Sequence, residues 1–229
     1  MGSPCLVLAS NSPRRRDLLA LGGWKFRVQP CEVDESLNPH EKPEAYVLRL
    51  AANKARCCAD ALEESGGTTP AEAIILSADT TVADGKIILG KPGSPLDAIA
   101  MLQRLKGRTH QVYTAIAVME PVGRRMLTDL CVTSVPMRDY GQDEIEAYVA
   151  SGDPFDKAGG YAIQHPQFHP VVEMVGCFAS VMGLPLCHLT RSLRKFNILP
   201  QGDPAQGCQA GLNYKCPIST AVINGENVG

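Results

Sequence analysis

The segment of residues 5–16, CLVLASNSPRRR, constrains the fold more than any other stretch of the chain. Its apolar run at residues 5–8 predicts a buried strand, which ends at the small polar residues that follow. Ser12 can cap a helix, and Pro13 suits the first helical position because its missing N–H would have no partner there. The segment therefore predicts a strand, a short polar turn and a helix.

The first turn of this helix is unusually basic. Arg14 and Arg15 lie where the helix dipole disfavours cations, so we expect a compensating anion. The free backbone N–H groups of the turn and the forked guanidinium groups together make a phosphate site. A solvated basic turn is the alternative interpretation of the same spacing.

Length and charge limit what the chain can do. Its 229 residues suffice for one large domain or two small lobes. The net charge of −2 argues against broad electrostatic binding of nucleic acid or of an anionic membrane. No apolar run reaches the roughly 20 residues that span a bilayer, and the first residues do not resemble a secretory signal. We therefore expect a cytoplasmic protein with no nucleic-acid or membrane partner.

The chain contains 9 cysteines, an odd and high number. Most lie in apolar stretches, where a free cysteine behaves as a small hydrophobic side chain. The sequence has no CxxC motif and no Cys/His spacing typical of zinc. We expect reduced, structural cysteines. The alternative is that Cys208 and Cys216 pair with each other or bind a metal.

Apolar periodicity predicts the order of helices and strands. Helices are expected at residues 13–21, 43–65, 95–106 and 143–150, and a final helix at residues 185–196. Strands are expected at residues 5–8, 25–29, 73–83, 86–89, 110–119, 125–137, 161–164 and 171–179. The Gly/Pro/Asn-rich composition after residue 196 predicts a loosely held tail. We therefore divide the chain into a domain of residues 1–196 and a tail of residues 197–229.

Three charged residues stand out from their apolar or constrained surroundings. Lys54 lies on the apolar face of the second helix, where it either reaches solvent or serves an interior polar site. Asp79 interrupts an apolar strand, and it is either an ion-pair partner or a catalytic base. Lys91 lies in a Gly/Pro loop. With the basic turn, these residues suit a polyphosphate and a divalent metal, for which Asp79 and Glu35 are candidate oxygen ligands or bases.

Four motifs resemble the Maf family: SNSPRR at residues 10–15, SADTTV at 77–82, GKP at 90–92 and DKAGGYAIQ at 156–164. They occur in order, with compatible spacing, between residues 6 and 196. The resemblance implies an α/β fold like that of inosine triphosphatase, with a mixed sheet, flanking helices and two lobes around a central cleft, often as a homodimer. It also implies a hydrolase, a house-cleaning nucleoside triphosphate pyrophosphatase.

The resemblance assigns roles to individual residues. The matches to the catalytic residues, with Asp79 as the proton acceptor, are Asp79, Lys54 and Lys91. The matches to the phosphate-binding turn are Ser12, Arg14 and Arg15. The expected ligands of a Mg²⁺ or Mn²⁺ cofactor are Glu35 and Asp79.

Substrate preference follows from the same resemblance. Arg14, Thr80 and Gln164 fit the subfamily that acts on dTTP and UTP, and the Gln164 amide offers the donor and acceptor that a pyrimidine edge needs. The subfamily acting on 7-methyl-GTP has Gln after the aspartate, which this chain lacks. Residues 165–170, HPQFHP, depart from the family pattern, and their histidines predict a rigid surface turn rather than metal ligands. Alternatives are other modified nucleotides as substrates, or a non-catalytic nucleotide-binding regulator of cell division.

Overall fold

A computed structural model describes residues 5–64 and 73–229. Its centre is one mixed sheet in the order β2-β1-β3-β5-β6, with β4 paired to β3. The strands are β1 (Leu6–Leu8), β2 (Phe26–Val28), β3 (Ile74–Asp84), β4 (Ile87–Leu89), β5 (Thr109–Met119) and β6 (Met126–Pro136). Strand β1 runs parallel to β2 and β3, and the other pairs are antiparallel. The predicted α/β fold with a mixed sheet is confirmed.

Helices flank this sheet. They are α1 (Pro13–Leu21), α2 (Pro43–Glu64), α3 (Pro95–Leu105), α4 (Gln142–Ala150), α5 (Phe178–Met182), α6 (Leu186–Arg194), α7 (Pro204–Leu212) and α8 (Ser219–Ile223). Ser12 caps α1 as predicted, because its side chain accepts a hydrogen bond from the backbone N–H of Arg15. Ser65, the expected end of the second helix, lies outside the described residues. None of the described helices is long and apolar enough to cross a bilayer.

The long strands carry two lobes. Strands β3, β5 and β6 have 11 residues each and run through both. In the first lobe, α1 and α6 pack on one face of the sheet and α2 on the other, around two apolar clusters. In the second lobe, α3, α4 and the segment before α5 surround a third cluster centred on Tyr140 and Leu102. The lobes leave a cleft between α1 and the loop that follows α4.

Two of the expected strands are wrong. Residues 161–164 form a loop, which follows Gly159 and Gly160 at positive φ angles of 71° and 70°. In residues 171–179, one isolated bridge joins Val171 to Met137, and the last two residues already belong to α5. Several of their apolar side chains, Tyr161, Ile163 and Met174 among them, pack in the third cluster without a strand ladder, whereas Val172 and Val175 are exposed. The apolar pattern therefore reflected partial burial rather than strand pairing.

The segment after α6, expected to be a loosely held tail, contains two further helices, α7 and α8. Asp203 caps α7 by accepting hydrogen bonds from the N–H groups of Ala205 and Gln206, at 2.9 and 3.2 Å. A Cβ atom at Gly207 would overlap the carbonyl oxygen of Leu21, so this glycine allows α7 to approach α1 closely. Small residues here reflect close helix packing. The division into a domain and a tail at residue 196 stays a prediction.

One pair of cysteines contradicts the expectation of reduced thiols. Cys31 and Cys57 form a disulfide, with Cα atoms 6.0 Å apart, although 26 positions separate them in the sequence. The bond links the loop after β2 to α2, because the fold lays that loop along the helix. The other cysteines, Cys208 and Cys216 among them, are free thiols.

Candidate active site

Strand β3 distributes two neighbouring residues to opposite faces of the sheet, as the pleat requires. Asp79 faces α2, where it accepts a hydrogen bond from Lys54. Thr80 faces the other way, toward Arg15 and Thr114. The hydroxyl of Ser77 donates to the carbonyl oxygen of Ala51 at 2.6 Å and thereby fastens α2 to the strand beside Asp79. The strand therefore supplies functional groups to two separate spaces.

Asp79, Lys54 and Glu35 form a compact charged group. The ammonium of Lys54 lies 2.6 Å from a carboxylate oxygen of Asp79 and 2.6 Å from one of Glu35. Lys54 therefore serves an interior polar site, one of the two interpretations that its position left open. The hydroxyl of Tyr46 donates to the Glu35 carbonyl oxygen at 2.9 Å and holds the acidic loop in place.

The environment shifts the pKa values of the two carboxyl groups in opposite directions. Burial raises the pKa of Asp79 above its usual value, although Lys54 and Arg15 oppose the shift. Burial also acts to raise the pKa of Glu35, but the hydrogen bond and charge of Lys54 outweigh it, so that pKa is lowered. Asp79 is 6% exposed. Its raised pKa makes it a better proton acceptor than an ordinary aspartate, which suits a general base.

Arg15 joins the two faces of the site. Its guanidinium donates to the carbonyl oxygen of Gly183 at 3.0 Å and to the hydroxyls of Ser10 and Thr80 at 3.3 and 3.4 Å. Burial lowers the pKa of this arginine, while the charge of Asp79 opposes the shift. The cation is thus fixed at the N-terminal end of α1, where it adds positive charge to the free N–H groups of the helix.

Arg14 reaches across the cleft to the second lobe. Its guanidinium donates to a carboxylate oxygen of Asp156 at 2.9 Å. Lys157, next along the chain, is 9% exposed and places its ammonium 2.6 Å from the other Asp156 oxygen and 3.0 Å from Asp153. The two lobes are thus connected by an ion pair that a charged ligand could enter or replace.

Two cavities meet at the start of α1. The larger, about 520 Å³, we call the charged cavity, and its charged lining residues are Arg14, Arg15, Glu32, Glu35, Lys54, Lys91 and Asp156. The smaller, about 150 Å³, we call the apolar-walled cavity, and its apolar lining residues are Val82, Val112, Ala158, Tyr161, Ala162, Ile163, Val181 and Met182. Residues that line both are Ser12, Arg14, Arg15, Lys91 and Asp156. A ligand with a charged part and a flat, less polar part would fit across the junction.

The apolar-walled cavity has polar groups at its edge. Gln164 is exposed and lines its rim, and Thr80 lines its inner end. The hydroxyl of Thr114 lies 2.9 Å from that of Thr80 and donates to the carbonyl oxygen of Ser180 at 2.8 Å. This chain of hydrogen bonds connects Thr80 to α5, whose last residues form the opposite wall.

The residues present fit a Mg²⁺ or Mn²⁺ ion that substrate oxygens would help to hold. A carboxylate oxygen of Asp79 and one of Glu35 both contact the ammonium of Lys54. The two carboxylates are therefore close enough together to bind the same cation. Within residues 5–64 and 73–229, no group of three or more His, Cys, Asp or Glu side chains is arranged to hold a metal. Magnesium is commonly bound through one or two carboxylates and the phosphates of its substrate. Two carboxylates therefore suffice for such an ion.

The predicted site residues that line one or both of these cavities are Ser12, Arg14, Arg15, Glu35, Lys54, Thr80, Lys91 and Gln164. Asp79 lines neither cavity, and it is connected to the charged cavity through its ion pair with Lys54. Sequence reasoning missed Asp156 and Lys157 as members of the site, and it missed Thr114. The first two belong to the DKAGGY motif, so a role for its charged residues was available from the sequence. Thr114 carried no signal, because its partners come from β3 and α5. His165 accepts from the N–H of Phe168 at 3.0 Å, in agreement with the expected turn.

Known proteins resemble this chain over most of its length. The family model described as Maf-like protein matches residues 5–196. A dTTP/UTP pyrophosphatase of Thermomicrobium roseum is 41% identical over 219 residues, which are 95% of this chain and 95% of that protein. A dTTP/UTP pyrophosphatase of Moorella thermoacetica is 45% identical over 194 residues, 84% of this chain and 95% of its own. A HAM1 protein from Coxiella burnetii aligns with 60% of this chain at a TM-score of 0.42 and 17% identity.

Proposed function

The chain belongs to the Maf family, and we propose that it hydrolyses dTTP and UTP, or modified relatives of them, to the monophosphate and pyrophosphate. The observation that carries the proposal is the buried carboxylate of Asp79, held by Lys54 beside the basic start of α1. The two relatives at 41% and 45% identity are both named for this activity. Their similarity extends over almost the whole of this chain or of their own.

The triphosphate would lie in the charged cavity. Arg15 and the first N–H groups of α1 would face the phosphates, and Lys91 and Lys54 would neutralise charge that develops on them. The Arg14–Asp156 ion pair would open or shift so that Arg14 can contact the same anion. Each of these charges is expected to contribute roughly 2–4 kcal/mol to transition-state stabilisation.

Asp79 would act on the attacking water. Its raised pKa makes it a better proton acceptor than an exposed aspartate, provided that the carboxyl group is ionised at the working pH. Water would attack the α-phosphorus, the bond from that phosphorus to the bridging oxygen would break, and pyrophosphate would leave. Asp79 and Glu35 would hold a Mg²⁺ or Mn²⁺ ion, which supplies Lewis-acid activation of phosphate oxygens.

The base would occupy the apolar-walled cavity. Its valine, methionine and tyrosine side chains suit a flat ring, and Gln164 at the rim offers one donor and one acceptor. Thr80 supplies a hydroxyl at the inner end. A homodimer and a cytoplasmic location stay predictions of the sequence.

A product assay tests this proposal. The full-length protein is incubated with Mg²⁺ and each of dTTP, UTP, dCTP, ATP, GTP and 7-methyl-GTP, and pyrophosphate and orthophosphate are measured separately. We expect pyrophosphate as the first product, dTTP and UTP as the best substrates, and loss of turnover in excess EDTA with recovery on adding Mg²⁺ or Mn²⁺. The identically purified Asp79→Asn variant serves as the blank for contaminating phosphatases. Orthophosphate as the first product would contradict the reaction, and faster cleavage of 7-methyl-GTP would contradict the substrate.

A further inference from the structure

A cluster of cysteines lies away from the active site, in the C-terminal part of the chain. Four of them line one small cavity of about 10 Å³: Cys177, Cys187, Cys208 and Cys216. They come from four different places, the residue before α5, the first turn of α6, the middle of α7 and the loop between α7 and α8. A space of this size is at the lower limit for one water molecule. The thiols are therefore the main polar groups of a nearly filled space.

The segment that carries two of these cysteines has little apolar core of its own. Within residues 199–229, only Pro204 and Val222 are buried. Short segments with so little buried surface are commonly held by a disulfide or a structural metal. Residues 208 and 216 lie in this segment, and the other two cysteines lie in the domain against which it packs. A link among the four would attach the segment to the domain.

Hydrogen bonds already orient the loop toward the domain. The hydroxyl of Tyr214 donates to the carbonyl oxygens of Gly176 and Met174 at 3.0 and 3.1 Å. The thiol of Cys216 points at the same Gly176 carbonyl oxygen at 4.0 Å. Its backbone N–H donates to the side-chain oxygen of Gln209 at 3.0 Å. Cys216 is therefore held next to the segment that contains Cys177.

The alternative link, a disulfide, uses only two thiols at a time. The structure forms a disulfide where Cys31 and Cys57 meet, yet it leaves all four cavity cysteines as free thiols. No carboxylate lines this cavity, so the candidate ligands are sulfur atoms alone. Four thiolates are the ligand set of closed structural zinc sites, whereas magnesium and calcium require oxygen.

We propose that Cys177, Cys187, Cys208 and Cys216 bind one structural Zn²⁺ ion, which fastens the C-terminal helices to the domain. The four sulfur atoms are not preassembled at coordinating distances in the described residues. Rotation about the Cα–Cβ bonds moves each sulfur between staggered positions around the same cavity. Binding would release the thiol protons, four if all ligands become thiolates, and would close the coordination shell without a water ligand.

Metal analysis of the full-length protein tests the proposal. The protein is expressed with zinc in the medium, desalted under reducing conditions, and its metals are measured by mass spectrometry. We expect close to one zinc per chain. Zinc removal under otherwise identical conditions should increase maleimide labelling at Cys177, Cys187, Cys208 and Cys216, with the labelled positions located by mass spectrometry. Reduced protein refilled with Co²⁺ should show thiolate-to-cobalt charge-transfer absorption and the strong visible bands of tetrahedral Co²⁺.

Matched variants identify the ligands. Cys208→Ser and Cys216→Ser should lose most of the zinc and lower Tm by several degrees, whereas Cys5→Ser should keep both, because Cys5 is a free thiol outside the cavity. Pyrophosphate release at low temperature should persist in Cys208→Ser. Loss of zinc binding and loss of the proposed enzymatic activity can therefore be distinguished. If the variants do not fold, the zinc content and the cobalt spectrum of the wild-type protein still show whether thiolates bind a metal. Reduced wild-type protein with less than a tenth of an equivalent of zinc, bound iron in its place, or a native Cys208–Cys216 disulfide would each overturn the proposal.

Discussion

The charged cavity and the apolar-walled cavity share a wall but are built differently. In the charged cavity, Lys54 from α2 and Glu35 from the acidic loop neutralise each other. Lys54 also pairs with the buried Asp79 of β3, which does not line the cavity itself. The apolar-walled cavity is formed by aliphatic side chains and by the glycine-containing loop after α4, and its polar and charged groups lie at its edges, with Gln164 exposed at the rim. Ion pairs hold the residues of the charged cavity in place, whereas packed aliphatic side chains set the shape of the apolar-walled cavity.

This difference shows how one strand can contribute one residue to the proposed catalysis and its neighbour to the choice of substrate. Asp79 and Thr80 are adjacent in sequence, but the pleat of β3 sends them to opposite faces. A change on the charged side should therefore slow all substrates alike, and a change on the apolar side should alter the choice among them. Arg15 is one of the residues that line both cavities, and its guanidinium also contacts Thr80, so a change there should affect both reaction and selection.

The largest effect is expected from Asp79→Asn. We expect kcat to fall by about 10²–10⁴-fold for dTTP and UTP equally, because a general base is removed while Lys54 keeps its contact with Glu35. Asp84→Asn, the same change at the far end of β3, removes an ion pair with Arg104 and should leave kcat within about twofold. Steady-state kinetics with circular dichroism as a folding check measures both. A folded Asp79→Asn protein with more than about a tenth of wild-type kcat would contradict the assignment.

Arg15→Lys should have the next largest effect. The lysine keeps the charge but loses the forked donors that reach Gly183, Ser10 and Thr80, so kcat/KM should fall by about 10²-fold. Because this residue touches both cavities, the ratio of kcat/KM for dTTP over UTP should change as well. Arg16→Lys, on the exposed side of the same turn, is the control and should change neither quantity. An unchanged ratio in Arg15→Lys would mean that the residue serves the phosphates alone.

The pH dependence of the free energy of unfolding tests the role of His110, which contacts the wall of the apolar-walled cavity. His110 is fully buried with its Nε2 atom 2.8 Å from the hydroxyl of Tyr161, which lines that cavity. Burial lowers the pKa of His110 from 6.5 to about 4, so below pH 6.5 the unfolded chain binds a proton that the folded chain resists. The free energy of unfolding should therefore decrease by about 3 kcal/mol as the pH falls from 6.5 to 4.

Urea unfolding at several pH values measures this dependence. His110→Gln removes the titrating group and should flatten the profile by about the same amount. His40→Asn, on an exposed turn, should keep the wild-type slope. Equal slopes in the two variants would show that another group controls acid unfolding.

The smallest effect is expected at Gln164. Gln164→Glu leaves two acceptors and no donor at the rim, so kcat/KM for dTTP and UTP should fall by about tenfold. Inhibition by inorganic triphosphate should stay unchanged, because that anion would lie in the charged cavity. Gln167→Glu, three positions along and outside the apolar-walled cavity, provides the matched control. A proportional loss of triphosphate inhibition would show that the two cavities are not separable at this residue.

Elements with local signals were predictable from the sequence. Helix α1 spans Pro13–Leu21 as expected, because a serine cap and a following proline act within one turn. The β3–β4 hairpin and the capped start of α3 follow from similarly local residues. Prediction failed for residues 161–164 and 171–179, where some apolar side chains, such as Tyr161 and Met174, are buried in the third cluster without belonging to a strand. Burial and strand pairing leave the same apolar pattern in a single sequence.

The sequence by itself predicted which residues carry the chemistry: Asp79, Arg15 and Gln164 lie in recognisable motifs, and Lys54 lies on the apolar face of a helix. Only the tertiary structure decided how they combine. Contact between Lys54 and Asp79 requires α2 to pack on β3, and the Cys31–Cys57 bond requires the acidic loop to lie along that helix. The C-terminal helices acquired their place in the same way, by packing against α1 and α6. Caps and turns depend on neighbours in the chain, whereas ion pairs, cavities and disulfides depend on segments that meet only after folding.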